Sequence, residues 1–380
     1  MLLYISKAFT ENMGATMHYE ALQELVGKEN VFTIDLRPKI SEKQNQYICY
    51  GKYKSPFDRI HRWMQGNMMF ISNKIIYEIC DIIASQHVDT VFIEDSVFGN
   101  LVKEIKKRFP DVLIMTFYHD IKADLYPQWI KNDNTLISRI EFGIGIRQEK
   151  INQKYSDINI VFNQREIRLF EKYYGKTPEA FVPLCTPIPH IPETEKSAIS
   201  EKGEIKKLLF VGNNFFTNLR GLRWFVDKVL PNLAKNIQVN VVGRGLEEHR
   251  NEYSDSRVNI IGSVESLASY YLDTDIVIGP LFDGGGMKTK SVEAMSYGKI
   301  YVATKESLVG CWDEMNDIIR NKIVFRSDDA KEWVSIINSL VDSDIKKFNF
   351  EVYDLFVKKF SYGAVRDQLA ALLKDGGKVV

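Results

Sequence analysis

The segment Gly279-Pro280-Leu281-Phe282-Asp283-Gly284-Gly285-Gly286-Met287-Lys288-Thr289-Lys290-Ser291-Val292-Glu293-Ala294-Met295 decides the fold of this chain. The apolar run 276–278 predicts a strand, three glycines follow, and a helical pattern begins at Thr289. Glycines let backbone N–H groups approach a phosphate closely, and a helix N-terminus favours negative charge. Lysines usually lie late in helices, so Lys288 and Lys290 at the start indicate a bound anion. A glycine-rich turn with solvated lysines is the alternative.

Glu293 is the candidate ligand for a ribose diol within this helix. In a helix, Lys290 and Glu293 share a face, whereas Lys288 lies nearer the tip. The apolar neighbours Val292 and Ala294 predict that the carboxylate is partly buried, which argues against a simple surface pair with Lys290. An accepting carboxylate one turn inside a phosphate-binding helix is well placed for ribose hydroxyls.

Outward from this segment, short apolar runs alternate with longer helical patterns, which is typical of parallel α/β units. The predicted strands are 2–5, 31–34, 90–93, 112–116, 158–162, 180–183, 207–211, 238–242, 258–261, 276–278, 300–303 and 323–325. The predicted helices are 15–26, 71–84, 98–108, 136–154, 166–173, 219–233, 264–272, 289–297, 333–341, 350–360 and 362–373. We therefore predict an α/β chain with two Rossmann-like, doubly wound domains that face each other across a cleft.

Domain boundaries follow from length and composition, because 380 residues exceed what one hydrophobic core usually supports. A stretch rich in proline, glutamate and serine interrupts the alternation at 183–203. We predict an N-terminal domain over 1–190, a linker over 191–204 and a C-terminal domain over 205–350. The helices in 351–380 are expected to close the chain and to cross back to the first domain.

The overall composition restricts the class of partner. Lys plus Arg and Asp plus Glu both number 50, so no net field attracts nucleic acid. The four cysteines form no CxxC pair, which fits a reducing compartment. No run of about 18 apolar residues occurs, and Met1–Ser6 reads as a strand and not as a signal peptide. The expected location is the cytoplasm, with the inner face of the membrane as a second site of action.

The central segment resembles the retaining GT-B glycosyltransferases, group 1, of the family 4 type. The resemblance rests on the run from Gly284 to Lys299 and covers about 157–303, with little in the first hundred residues. Further matching segments are Leu208-Leu209-Phe210-Val211-Gly212, Val241-Val242-Gly243-Arg244-Gly245, Ile260-Ile261-Gly262-Ser263-Val264 and Phe181-Val182-Pro183-Leu184.

The resemblance implies a set of roles for the second domain. Glu293 would bind the ribose hydroxyls, and Lys288 and Arg244 would neutralise the diphosphate leaving group. The main chain at 262–264, including Val264, would contact the base. The remaining implied donor-binding residues are Gly212, Asn213, Asp283, Gly285, Gly286, Met287, Thr289 and Lys290.

In the first domain the resemblance implies roles for two residues. Gly14 would lie in the loop after the first strand, close to the donor phosphates. His119 follows the predicted strand 112–116 and would face the donor sugar as the catalytic residue of this domain. The alternative for His119 is a structural hydrogen-bonding role at a strand end.

The chain departs from the family pattern at two places. The family commonly has a carboxylate eight residues before the glutamate, where this chain has Gly285; Asp283 is a possible substitute. The family's Arg and Lys after the first strand of the donor domain are also missing, and Arg220 and Arg223 lie on the next helix. These departures concern the identity of the sugar more than the fold.

Two other patterns are weak. The Asp-x-Asp strings at 273–275 and 342–344 read as a strand entry and a turn, so we predict no metal. Gly243-Arg244-Gly245 has Glu248 where a dinucleotide fingerprint requires its third glycine, so we predict no NAD and no other cofactor.

The segment 47–70 mixes aromatic and basic residues, which suits an anionic membrane face or a lipid-diphosphate acceptor. A mobile loop that packs some of its aromatic side chains on the first domain is the more common explanation of such a segment. As part of the expected acceptor side, the segment is where acceptor contacts are sought first.

The expected function is hexosyl transfer, with retention of configuration, from a nucleoside diphosphate sugar to an acceptor hydroxyl. A UDP-sugar is favoured as donor, and the acceptor would be a glycan, lipid-linked or protein-linked, in polysaccharide or glycoconjugate assembly. A sugar-nucleotide epimerase of the same fold and a non-catalytic subunit of a transferase complex are the alternatives. The sequence gives no indication of the oligomeric state.

Overall fold

The computed structural model describes residues 1–7, 13–36, 42–44, 46–50, 55–132 and 134–374. The chain divides into two compact units, of which the first comprises Met1–Pro183 and Val365–Val380 and the second Leu184–Ala364. The C-terminal segment of the chain therefore belongs to the first unit. The segment 191–204, expected as a linker, lies within the second unit.

The first unit is built on a sheet of eight described strands. They are β1 Leu2–Ser6, β2 Val31–Asp35, β3 Glu42–Gln44, β4 Tyr47–Cys49, β5 Thr90–Glu94, β6 Leu113–Tyr118, β7 Ile158–Val161 and β8 Ala180–Phe181. Their order is β3-β4-β2-β1-β5-β6-β7-β8, and only the β3–β4 pair is antiparallel. The helices are α1 Met13–Val26, α2 Pro56–Met64, α3 Asn73–Ser85, α4 Gly99–Arg108, α5 Lys122–Asn132, α6 Leu136–Tyr155 and α7 Gln164–Tyr174.

The second unit contains a parallel sheet of six described strands in the order β12-β11-β10-β13-β14-β15. Its strands are β10 Lys206–Val211, β11 Ile237–Val242, β12 Val258–Gly262, β13 Ile276–Gly279, β14 Ile300–Ala303 and β15 Val324–Arg326. A separate antiparallel pair joins β9 Ile199–Ser200 to β16 Ile345–Lys346. The helices are α8 Glu193–Lys196, α9 Phe216–Trp224, α10 Ala268–Asp273, α11 Thr289–Ser296, α12 Asp317–Lys322, α13 Ala330–Val341 and α14 Phe350–Lys359, and α15 Tyr362–Lys374 leads back to the first unit.

Near-continuous apolar strands explain why both sheets are covered on two faces. In β10, Leu208, Leu209 and Phe210 are all fully buried, which is the pattern of a strand between two helical layers. Strand order reverses between β10 and β13, so the loops after these two strands meet at a topological switch point. Ligands of open α/β sheets bind at the carboxyl ends of strands at such a point. The predicted α/β architecture is confirmed.

Three predicted elements differ from the structure. The predicted helix 219–233 is α9 followed by a π-helical turn, Phe225–Val229, and a 3₁₀ turn, Leu230–Asn232, because Pro231 lacks the N–H that a continuing helix needs. The predicted helix 264–272 forms only over α10. The segment 191–204 carries α8 and β9, and β9 pairs with β16.

The segment 47–70 is also different from the expected loop. It contains β4 and α2, and α2 begins where the Ser55 side chain accepts a hydrogen bond from Asp58 N, with Pro56 in the first turn. One face of α2 is apolar and exposed, with Phe57 at 82%, Ile60 at 48% and Met64 at 82%. The basic residues at 52 and 54 lie outside the described residues. Among the described helices, none combines the length and the hydrophobicity that a bilayer-spanning segment requires.

Candidate functional site

The glycine-rich segment forms the loop 280–288 between β13 and α11, at the carboxyl edge of the second sheet. Gly284 and Gly286 have φ values of 131° and 57°, a region that side-chain-bearing residues rarely adopt. Buried hydroxyls fix the start of the loop, since Thr304 Oγ1 donates to Leu281 O and Ser307 Oγ accepts from Leu281 N at 3.3 Å. Backbone geometry that favours glycine thus shapes the tip of the loop, and the buried hydroxyls fix its base.

Lys288 stands immediately before the first residue of α11 and closes the glycine loop on itself. Its Nζ donates to Gly285 O at 3.0 Å, to Gly286 O at 3.3 Å and to Glu306 Oε1 at 2.7 Å. Glu306 follows β14, and both side chains of this ion pair are largely buried. A diphosphate that binds here would meet a cation that is already paired with a carboxylate.

Glu293 lies in the second turn of α11 and is anchored at one oxygen. Its Oε2 accepts a hydrogen bond from Tyr271 OH at 3.0 Å, and the Tyr271 ring stacks on Tyr297 with centroids 4.7 Å apart. Burial raises the pKa of Glu293, while Tyr271 and Lys290 act in the opposite direction. The arrangement leaves Oε1 as the oxygen with which Glu293 can accept a ligand hydroxyl.

Lys290 points into the core of the second unit. The side chain is buried, its Nζ donates to Asn218 Oδ1 at 2.7 Å, and it lies 4.7 Å from the centre of the Phe210 ring. Burial lowers the pKa of Lys290 to about 7, with Glu293 opposing and Lys288 adding to the shift. Lys290 therefore lies behind the loop and acts on it as a titratable charge.

Gly212 and Gly243 directly follow the neighbouring strands β10 and β11, and Gly262 is the last residue of β12. Gly243 has φ 146°, and a Cβ there would lie 1.5 Å from Gly212 O. Gly243 N donates to Gly262 O at 2.8 Å. At Gly243 the neighbouring strand end leaves no room for a side chain, so the backbone itself forms this part of the edge.

The other donor-binding candidates of the second unit surround these glycines. Arg244 is exposed, and its carbonyl accepts from Asn214 N at 2.9 Å. Asn213 Oδ1 accepts from Asn218 Nδ2 at 2.7 Å, and the half-buried Val264 follows β12. Thr289 opens α11, and the buried Met287 Sδ accepts from Leu184 N at 3.5 Å.

Asp283 and Arg220 form an ion pair between the glycine-rich loop and α9. No role for Arg220 follows from the sequence. The structure brings its guanidinium to the glycine-rich loop that contains Asp283, the proposed substitute for the missing carboxylate. Arg220 remains about half exposed, at 51%, so the pair is open to solvent on the arginine side. Asp283 would hold a sugar hydroxyl only while sharing its carboxylate with Arg220.

In the first unit, His119 directly follows β6 at the carboxyl edge of the sheet. Its Nε2 lies 3.0 Å from Oε1 of Glu94, the last residue of β5, and its side chain is 14% exposed. Gly14 is the second residue of α1, and the loop 8–12 before it lies outside the described residues. Among the residues that the structure describes, no three His, Cys, Asp or Glu side chains are grouped as metal ligands.

The sequence did not identify several residues that the structure brings to these sites. In the second unit they are Tyr271, Glu306 and Asn218, and in the first unit Glu94 and His18. Glu94 alone had a usable pattern, because it is a charged residue at the end of a strand that neighbours the strand before His119.

Comparisons with known proteins concern the family of the second unit and the fold of the chain. Residues 205–343 match the family model of the group 1 glycosyl transferases. An uncharacterized 44.6 kDa protein in the cps region of Klebsiella pneumoniae is 24% identical over 256 residues. That alignment covers 64% of this chain and only 63% of the Klebsiella protein.

Solved structures share the fold at low sequence identity. Sucrose-phosphate synthase from Thermosynechococcus elongatus has a TM-score of 0.71 at 13% identity, with 98% of each chain covered. HepE from Anabaena, in complex with UDP and glucose, has a TM-score of 0.68 at 12% identity, with 98% of this chain and 99% of HepE covered. The apo form of the lipopolysaccharide outer core galactosyltransferase WaaB has a TM-score of 0.67 at 12% identity and the same coverage. The chain thus has the GT-B fold, as the sequence predicted, and residues 205–343 match the group 1 glycosyl transferase model.

Proposed function

We propose that this chain, whose second unit is a group 1 glycosyltransferase domain, transfers a hexose from a nucleoside diphosphate sugar to an acceptor hydroxyl. The observation that carries the proposal is α11, where Lys288 closes a glycine loop at the N-terminus and Glu293 presents one anchored carboxylate a turn later. A helix N-terminus with a cation suits a diphosphate, and a carboxylate oxygen suits a ribose diol.

UDP is the favoured nucleotide. HepE, which shares the fold, has been solved with UDP-glucose as well as with UDP. In the proposed reaction Lys288 and the exposed Arg244 stabilise the negative charge that develops on the diphosphate as the bond to the sugar breaks. His119 is proposed as the catalytic residue of the first unit. Retention of configuration is part of the proposal and rests on the family resemblance.

The acceptor is proposed to be a growing polysaccharide or glycoconjugate, and the place of action the cytoplasm. The four cysteines are buried and none of them stands in a CxxC pair, which suits a reducing compartment. The exposed stripe Phe57, Ile60 and Met64 on α2 has the i, i+3, i+7 spacing of an interfacial helix face, so we include peripheral contact with a membrane. Co-sedimentation with anionic vesicles that is unchanged in Phe57→Ser/Met64→Ser would remove this part of the proposal.

The test of the proposed function is nucleotide release and sugar transfer with a panel of UDP-, GDP-, dTDP- and CMP-sugars. Lys288→Ala should lower kcat by about 10²-fold, in the range found for loss of one group that stabilises transition-state charge. Glu293→Ala should weaken donor binding by about 10-fold or more, because a hydrogen bond to a charged group contributes about 1.5–3 kcal/mol. Glu314→Ala, at a surface carboxylate paired with Lys359, is the matched control.

The same assay separates the alternatives. An epimerase would isomerise the nucleotide sugar in the absence of any acceptor. A non-catalytic subunit would bind the nucleotide without turnover. Unchanged transfer rates in both Lys288→Ala and Glu293→Ala would refute the proposed donor site. The anomeric configuration of the product, measured by proton NMR, decides retention.

A further inference from the structure

The first unit carries a buried carboxylate beside the proposed catalytic histidine. β5 and β6 are neighbouring parallel strands with Ile93 paired to Thr116, so the residues that end them reach the same edge. Glu94 ends β5, and His119 follows Tyr118 at the end of β6. The result is the 3.0 Å contact between Glu94 Oε1 and His119 Nε2.

The Glu94 carboxylate is fully buried and is surrounded by donors on both oxygens. Tyr4 OH donates to Oε2 at 3.1 Å, and His18 Nδ1 lies 2.9 Å from Oε1. Burial by itself raises the pKa of Glu94, but His18 and His119 outweigh it and lower the pKa to about 2. Glu94 is therefore ionised at neutral pH, and an ionised carboxylate only accepts hydrogen bonds.

The other charged side chains near Glu94 and His119 form ion pairs with one another. Lys7 Nζ lies 2.7 Å from Asp95 Oδ2, and Lys122 Nζ lies 2.6 Å from Asp120 Oδ1 and 3.7 Å from Asp95 Oδ1. Within the described part of the chain, the ionisable groups that face Glu94 itself are Tyr4 from β1, His18 from α1 and His119 after β6. The two imidazoles are thus the groups that meet the charge of Glu94.

We propose that Glu94 is a positioning residue that fixes the ring and the tautomer of His119. The negative charge of Glu94, 3.0 Å from Nε2, favours the neutral tautomer with its hydrogen on Nε2, and Nδ1 then keeps its lone pair for a substrate proton. His18 has no exposure to solvent and packs against Phe117 at a ring distance of 4.3 Å. Its Nδ1 approaches the same oxygen, Oε1, as His119 Nε2, so His18 supports the carboxylate from within the core and is not open to substrate.

This inference rests on the proposed function in one respect, because only the proposed transfer reaction supplies a substrate on which His119 can act. A purely structural role for Glu94 would fill the same space and satisfy the same Tyr4 hydroxyl. The two roles differ in what they require of His119. A positioning role requires one tautomer of His119, and the loss of that tautomer must change catalysis without changing nucleotide affinity.

The first measurement is the tautomer of His119, by long-range proton–nitrogen NMR on histidine-labelled protein with the His119→Asn variant for assignment. The wild-type ring should be protonated at Nε2 and bare at Nδ1 when neutral. A neutral ring protonated at Nδ1 overturns the proposal, and this result needs no variant of Glu94 to fold.

The second measurement compares Glu94→Gln, Glu94→Asp and Tyr4→Phe. In Glu94→Gln the tautomer preference should be lost and kcat should fall by about 100-fold, the lower end of what general acid–base catalysis contributes. The KM for the donor and the affinity for UDP should stay within threefold of wild type, and Glu94→Asp should recover part of the rate. Tyr4→Phe, which removes the partner of Oε2 and neither imidazole, should keep both the tautomer and most of the rate.

The outcomes distinguish this inference from the proposed function. If wild-type protein transfers no sugar from any donor, the proposed function fails and the NMR result still decides the positioning of His119. If transfer occurs and Glu94→Gln keeps the wild-type kcat or the wild-type tautomer, the positioning role is overturned while the proposed function stands.

Discussion

Nucleotide binding should draw a proton onto Lys290. This side chain is buried behind the glycine loop with its Nζ on Asn218, and its pKa is lowered to about 7. At pH 8, a lysine with that pKa is protonated in only about one molecule in ten. For an assumed separation of about 6 Å and an effective dielectric constant of about 20, one negative charge of a bound diphosphate would contribute about 2.8 kcal/mol, which is about 2 pKa units. The protonated fraction then rises to about nine tenths, so each binding event takes up about 0.8 proton.

Isothermal titration calorimetry with UDP at pH 8 measures this uptake directly. The observed enthalpy is plotted against the ionisation enthalpy of several buffers, and the slope gives the number of protons exchanged. Lys290→Met is the control and should bind with a slope near zero. At pH 6 the contribution of Lys290 should vanish, because its amine is already protonated in the free protein. Wild-type protein that binds UDP at pH 8 with zero slope would refute the reasoning about Lys290.

Three further predictions concern stability and affinity. Because the pKa of Lys290 is lowered from 10.5 to about 7 on folding, the unfolded chain binds more protons between these pH values. The contribution of Lys290 to the free energy of unfolding therefore rises with pH across that window. The wild-type protein should gain melting temperature between pH 7.5 and 9.5, and Lys290→Met should gain less. An equal gain in both proteins would contradict this. Gly243→Ala should cost at least about 3 kcal/mol in urea unfolding because its Cβ would meet Gly212 O, whereas Gly203→Ala, with open space and φ 92°, should cost about 1–2 kcal/mol. Similar costs would mean that the close approach is not limiting. Glu306→Gln removes the carboxylate that competes with a ligand for Lys288. Calorimetry should then show UDP binding tighter by about 1 kcal/mol, or about fivefold. Unchanged or weaker binding would show that Glu306 orients the lysine instead.

The periodic parts of the fold could be predicted from the sequence. Buried parallel strands such as β10 and β13 are continuous apolar runs, and the loop with Lys288 followed by α11 lies where the glycines and the helical pattern indicate. These features depend on neighbours within a few residues. The short strands β3 and β4 and the helix α2 could not be predicted in the same way. The strands have only three residues each, and β3 is wholly polar, whereas aromatic and basic residues hide the period of α2.

The partners of the site residues could not be predicted, since they depend on strand order. Tyr271 and Glu293 are 22 residues apart, and Lys288 and Glu306 are 18 apart. The helical period places Lys290 and Glu293 on neighbouring positions, but the sheet under α11 decides that Lys290 points inward to Phe210. In the first unit, the contact between Glu94 and His119 follows from β5 and β6 being neighbours, which no local pattern specifies.

Calorimetric binding of UDP to wild-type protein, Glu293→Ala and the surface control Glu314→Ala tests the central claim most directly. The account predicts that wild type and the control bind equally and that Glu293→Ala loses about 10-fold or more in affinity, from one charge-assisted hydrogen bond. A panel of GDP, dTDP and CMP run beside UDP identifies the base. Equal affinity in all three proteins, or no binding of any of these nucleotides to wild type, would contradict a donor site built on α11.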